Sequence, residues 1–172
     1  MKSFFERYQI LIGIVIVGLL ISVAIVISGN ANLQIYLGGE TDKEAINEIS
    51  SEAVVTKVID GDTVVIESGN SVRLLGIDAD ERGHICYDAA KTRLEELVLM
   101  KQVHLESDIE DSDQYGRFLR YIFVGDANIN LKLVEEGMAI ALFYQPNTKY
   151  RQEIALAEQQ AKQNRTGCKW VR

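Results

Sequence analysis

The stretch Val58–Glu81, V-I-D-G-D-T-V-V-I-E-S-G-N-S-V-R-L-L-G-I-D-A-D-E, decides the fold. Asp60-Gly61 stands between two β-branched runs, a hairpin signal in which both central turn residues take positive φ. Ser68-Gly69-Asn70 supplies the next turn. Val54–Ile59, Asp62–Glu67 and Ser71–Ile77 therefore read as a three-stranded meander. Asp62 opens its second strand, Asp78 closes its third, and Arg73 lies mid-strand between Val72 and Leu74. An arginine there is expensive to bury without an anion beside it. Two aspartates at neighbouring strand ends repel unless a cation sits between them. Oxygen donors of that kind suit a hard ion such as calcium.

Downstream, periodicity supplies the rest of the domain. Asp88 can cap a helix running to Met100, with Ala90, Leu94, Leu97 and Val98 on one face. Gln102–Ser107 alternates as a fourth strand, Asp108–Gln114 is an acidic loop, and Arg117–Val124 is a fifth strand. Asn128 caps a helix through Glu136 that Gly137 ends. Met138–Tyr144 reads as extended. Pro146-Asn147-Thr148 then starts a last helix with a stripe of Tyr150, Ile154, Ala157 and Ala161. Five strands with a helix between the third and fourth match the order of a small OB-type Greek-key barrel, an α+β fold with three helices.

Upstream, Ile10–Ser28 is an uncharged run of 19 residues rich in Ile, Val and Leu. At about 1.5 Å rise per residue it can cross a hydrocarbon core of roughly 30 Å. Lys2 and Arg7 precede it, while Gly29–Glu52 carries five acids and one lysine. The positive-inside rule puts residues 1–9 in the cytoplasm and the rest outside it. The reading is a transmembrane signal-anchor in the cytoplasmic membrane over 10–28, an acidic linker over 29–52, and an extracytoplasmic domain over 53–172. A cleaved signal peptide and a buried core helix are the alternatives.

The whole chain has 18 basic and 25 acidic residues. That balance argues against tight, purely electrostatic binding of nucleic acid. His84 and His104 are far apart without partners at ligand spacing, so a histidine-based metal centre is not expected.

D-G-D-T at Asp60–Thr63, R-L-L-G-I-D-x-x-E at Arg73–Glu81 and D-x-Y-G-R at Asp113–Arg117 occur in this order with a helix between the second and third. Together they resemble the thermonuclease (staphylococcal nuclease) family from about Ala53 to Trp170. That resemblance implies a closed five-stranded barrel and a Ca²⁺-dependent phosphodiesterase. It also implies cleavage of DNA and RNA, preferably single strands, to 3′-phosphate and 5′-hydroxyl ends; no protein partner is implied. Asp62, Asp78 and the backbone carbonyl of Ala79 would hold the metal. Glu81 would act on the attacking water, and Arg73 and Arg117 would grip the phosphate. Tyr115 and Tyr144 would contact the nucleotide.

Each residue has a plainer alternative: an exposed loop glutamate for Glu81, salt bridges to the surplus carboxylates for the arginines, a core role for Tyr144. Departures from the family pattern are Ala79-Asp80 in place of Thr-Pro, Gln114 in place of lysine, and Leu142 in place of tyrosine. The last two should weaken nucleotide binding, and Asp80 adds charge beside the metal ligands. Cys86 and Cys168 flank most of the domain, and outside the cytoplasm a disulfide between them is favoured over two free thiols. Two rivals to a nuclease remain: a non-catalytic binding module on the same barrel, and a membrane-held structural domain stabilised by Ca²⁺.

Overall fold

The computed structural model describes residues 49–171. The expected anchor over 10–28 and nearly all of the expected linker over 29–52 lie outside the described residues. Among the described residues no helix is long and apolar enough to cross a membrane.

The chain order is β1 (Glu52–Val58), β2 (Thr63–Ile66), β3 (Ser71–Leu74), β4 (Ile77–Ala79), α1 (Tyr87–Val98), β5 (Gln102–Glu106), β6 (Phe118–Val124), β7 (Ala127–Asn128), α2 (Ile129–Glu135), β8 (Ala139–Ala141), α3 (Arg151–Asn164) and α4 (Gly167–Trp170). Strands β1, β2 and β3 form the antiparallel meander, with Val58 opposite Val64 and Thr63 opposite Arg73. β1 also pairs with β5, and β5 with β6, both antiparallel. A parallel pairing of β3 with β6, Val72 opposite Phe118, closes the ring. The result is a five-stranded OB-like barrel, and α+β is the class. Closure leaves no free sheet edge on these five strands. Val55, Val64, Val72, Leu74 and Ile122 fill its interior, and Leu94 and Val98 of α1 are buried with them.

Several local readings change. Neither Asp60 nor Gly61 has a positive φ. The β1–β2 connection is four residues long, closed by Ile59 N–H donating to Thr63 O (2.9 Å) and Asp62 N–H donating to Asp60 Oδ1 (3.0 Å). Gly61 is needed for space instead: a Cβ there would lie 2.6 Å from Ala79 Cβ and 2.7 Å from Ala90 Cβ.

The third run does not continue to Ile77. It breaks at Gly76, whose φ is +75°, and β4 leaves the barrel to pair with β8, Ala79 opposite Ala139. A short second sheet results; the Leu74-Leu75 doublet and Gly76 interrupt the alternation there, but the partner strand has no local signature.

Asp88 lies in the first turn of α1 and Cys86 takes the cap position. Asn128 does cap α2, its Oδ1 accepting from Leu131 N–H at 3.1 Å. Of Met138–Tyr144 only Ala139–Ala141 is strand, and α3 begins at Arg151, after a cis Gln145–Pro146 peptide. α4, a single turn, adds a fourth helix to the three expected.

Candidate active site

The break at Gly76 positions the site. It turns β4 across the open end of the meander, so that Asp78 and Ala79 face the β1–β2 connection. Asp62, in that connection, is buried, and its Oδ2 accepts from Ala79 N–H at 2.8 Å. Its Oδ1 lies 3.1 Å from Arg73 Nε and accepts from Thr63 Oγ1 at 3.1 Å. Arg73 Nη2 reaches Asp78 Oδ1, also at 3.1 Å. Nη1 donates to the carbonyls of Leu74 (2.6 Å) and Ile77 (2.9 Å). One guanidinium thus draws both aspartates and the β3–β4 turn together.

Charge is short on the positive side. Burial pushes the Asp62 carboxyl up to about 6, despite the opposing pull of Arg73 and the Ala79 amide. Two carboxylates against one guanidinium, one of them held away from water, form a donor set that a hard divalent cation completes. No cluster of three His, Cys, Asp or Glu side chains occurs among the described residues. The carboxylate share of such a site is Asp62 and Asp78, with Ala79 already against Asp62 through its amide.

Arg117 enters from the start of β6. Asp113 arranges it: Oδ1 accepts from the amides of Tyr115 (2.9 Å) and Arg117 (3.0 Å), and Oδ2 from Arg117 Nε (2.7 Å). Burial pushes Asp113 upward, but the Arg117 amide and guanidinium and the Tyr115 amide outweigh it and hold the carboxyl below the usual range. The Arg117 guanidinium also stands 5.5 Å from the centroid of the Tyr115 ring.

A cavity of about 550 Å³ gathers Asp62, Arg73, Asp78, Glu81, Arg117, Tyr115 and Tyr144 on one wall or another. Tyr115 and Tyr144 are 75% and 72% exposed, which rules out the core role for Tyr144. Ala79 and the two cysteines are outside its lining. Cys86 and Cys168 are joined in a disulfide, Cα atoms 5.4 Å apart. Gln114 and Leu142, two of the three departures, also line the cavity.

Two residues that the motifs contain or adjoin had no role assigned. Asp113 is one, and its signal is an aspartate two residues before Tyr115 and three before a glycine, the spacing of an Asx turn. Asn147 is the other. Buried at the cavity edge, its Oδ1 accepts from Glu110 N–H (2.7 Å) and its Nδ2 donates to Glu110 O (3.0 Å). It pins the acidic loop to the segment after Tyr144, a long-range contact without a local signature.

Residues 71–170 match the family described as Staphylococcal nuclease homologue, more than half of the chain. The chain belongs to the staphylococcal nuclease family. It is 36% identical to the thermonuclease of Staphylococcus intermedius over 148 residues, 80% of this chain and 88% of that one. It is 32% identical to the thermonuclease of Staphylococcus hyicus, over 84% of this chain and 90% of the relative. Endonuclease YncB of Bacillus subtilis is 40% identical over 63% of this chain and 57% of its own length. The barrel, the motifs in order and these relatives together make this chain a nuclease, and the binding-module and purely structural readings fall away.

Proposed function

We propose that the chain is a Ca²⁺-dependent endonuclease that hydrolyses DNA and RNA, prefers single strands, and leaves 3′-phosphate and 5′-hydroxyl ends. The observation that carries it is the single cavity into which Asp62, Arg73, Asp78, Glu81 and Arg117 all open with two exposed tyrosines. Asp62, Asp78 and the Ala79 carbonyl would hold the cation, which when bound would supply positive charge beside the scissile phosphate and polarise water there. Arg73 lines the same cavity and grips oxygens of that phosphate. Its planar fork suits two such oxygens at once.

Glu81 orients the attacking water and takes its proton. The new bond runs from water oxygen to phosphorus, and the bond from phosphorus to the 5′ oxygen breaks. The departing oxygen takes up a proton and leaves as the 5′-hydroxyl, while the phosphate stays on the 3′ side. Arg117, oriented by Asp113, stabilises the charge that builds on the phosphate.

Tyr115 and Tyr144 offer rings on which any unstacked base can lie, which favours strands that are already single. With Gln114 and Leu142 in the cavity wall and an acidic domain around it, binding is weaker than a lysine and a second tyrosine would give. A Gln114→Lys variant with an unchanged Michaelis constant on single-stranded DNA would contradict this. The uncharged run over 10–28 supports tethering in the cytoplasmic membrane with the nuclease domain outside. A disulfide in the domain agrees with that compartment.

The full chain incubated with single-stranded DNA and with RNA, in Ca²⁺, in Mg²⁺ and in chelator, beside a Glu81→Gln variant, tests the reading. Cleavage that requires Ca²⁺ and collapses in the variant is the expected result. Equal cleavage in chelator would remove the metal from the reading, and an active variant would remove Glu81.

A further inference from the structure

The loop that carries Glu81 is fastened at both ends to the last turn of the chain. At its start, Asp80 Oδ1 meets Lys169 Nζ at 2.5 Å, the two side chains only 21% and 13% exposed. At its end, Cys86 is bonded to Cys168, the residue before Lys169. The two ends are also tied to each other, because Cys86 N–H donates to Asp80 Oδ2 at 2.9 Å. Asp80 therefore does not face the cavity, and its charge is taken up by Lys169 and the Cys86 amide. α4 is in turn held to the rest of the domain, Lys169 N–H donating to Gly137 O at 3.1 Å.

Between those two fixed points the loop has little else. Glu81, Arg82, Gly83, His84 and Ile85 are all exposed, Ile85 at 86%. The internal ties are His84 N–H to Glu81 O (3.1 Å) and Tyr87 N–H to His84 O (3.3 Å). An exposed five-residue segment without apolar anchors belongs to the low-stability end of a fold and opens readily. Glu81 is the first residue past the Asp80 anchor, so its position relative to Asp78 and Arg73 follows that of Asp80.

We propose that Asp80 and Lys169 are positioning residues for Glu81, and that with the Cys86–Cys168 disulfide they form a clamp through which the C-terminal turn controls catalysis. The proposal rests on the role given to Glu81 above. The clamp fixes one side chain at the reacting centre and touches none of the nucleotide-binding wall, so its loss shows in kcat and spares KM. A misplacement of about 1 Å at a reacting group can lower a rate on the order of 100-fold, and partners of directly acting groups typically contribute about 10- to 100-fold.

The test measures kcat and KM on a single-stranded oligonucleotide, in Ca²⁺, well below each variant's melting temperature. The proteins are Lys169→Met, Lys169→Arg, Asp80→Asn, Cys86→Ser/Cys168→Ser and the same changes on a Glu81→Gln background. Expected are kcat falls of about 10- to 100-fold for Lys169→Met and Asp80→Asn with KM within twofold, recovery in Lys169→Arg, and a similar fall when the disulfide is removed. On the Glu81→Gln background the same changes should cost nothing further, because the group they position is gone.

Wild-type kcat in Lys169→Met and Asp80→Asn beside an inactive Glu81→Gln overturns the clamp and leaves the role of Glu81 standing. An equal further loss on the Glu81→Gln background also overturns it, since the effect would then run through another group. An active Glu81→Gln overturns the role of Glu81 itself, and the clamp with it.

Discussion

Replacing Gly61 with alanine tests how the site is assembled. The added Cβ would stand 2.6 Å from Ala79 Cβ and 2.7 Å from Ala90 Cβ. Carbon contacts settle at about 3.5–4.0 Å, so each overlap is roughly 1 Å. Neither neighbour can rotate away, because both are Cβ atoms fixed to backbone, one in β4 and one in α1. Overpacking of this sort costs about 1–3 kcal/mol. Alanine returns about 0.4–1 kcal/mol by restricting the unfolded chain, since the position needs no positive φ. A net loss of about 1.3 kcal/mol follows, which at roughly 4 °C per kcal/mol is a fall in melting temperature of about 5 °C.

Activity should fall further than stability. Gly61 precedes Asp62 and Ala79 follows Asp78, so the shift that relieves the clash moves the two carboxylates apart. Urea unfolding followed by the fluorescence of Trp170, the single tryptophan, gives the free energy. Adding Ala90→Gly removes one of the two overlaps. Alone it costs about 1 kcal/mol in a helix, but with Gly61→Ala the pair should couple favourably by about 1 kcal/mol. A Gly61→Ala protein within about 0.5 kcal/mol of wild type, or a strictly additive pair, would refute the steric account.

Asp62 makes stability depend on pH. Its carboxyl is at about 6 in the fold against 3.8 when free, so ionising it costs stability. That stability is fully present below the free value and lost as pH rises through about 6, a change of about 3 kcal/mol in chelator. Asp62→Asn should flatten the profile of denaturation midpoint against pH between 4 and 7, and a flat wild-type profile would contradict the assignment. Asp113→Ala removes the acceptor for two amides and for Arg117 Nε and should lower kcat by about 10- to 100-fold in steady-state assays. An unchanged kcat would show that Arg117 orients itself. Tyr115→Ala and Tyr144→Ala should each raise KM by about 5- to 100-fold on single strands, the equivalent of roughly 1–3 kcal/mol of stacking, with kcat little changed. Loss of kcat alone would place the rings elsewhere in the reaction.

Much of the site was legible because its chemistry is local in the chain. Asp62, Arg73, Asp78 and Glu81 fall within 20 residues, and strand alternation already sets them at ends and faces of a meander. D-x-Y-G-R carries its own turn, so Arg117 and Tyr115 could be named before their environment was known. The cap at Asn128 was legible for the same reason, since an Asx side chain bonds an amide three residues on.

What stayed hidden depends on contacts between distant segments. Gly61 looks like a turn glycine, and only the approach of Ala79 and Ala90 shows that it is there for space. The Leu74-Leu75 doublet and Gly76 mark a break in the alternation, but nothing local shows that β4 leaves the barrel to pair with β8, some 60 residues away. Asn147 and Lys169 are unremarkable letters until Glu110 and Asp80 stand beside them. By itself the sequence determined the strands, the motif order and the chemical types at the site, because each follows from period, turn geometry and side-chain chemistry. The tertiary structure alone decided that Arg73 binds two aspartates at once, that Asp62 is buried, and that the Glu81 loop hangs from the C-terminal turn, because burial and long-range pairing exist only once the chain has closed.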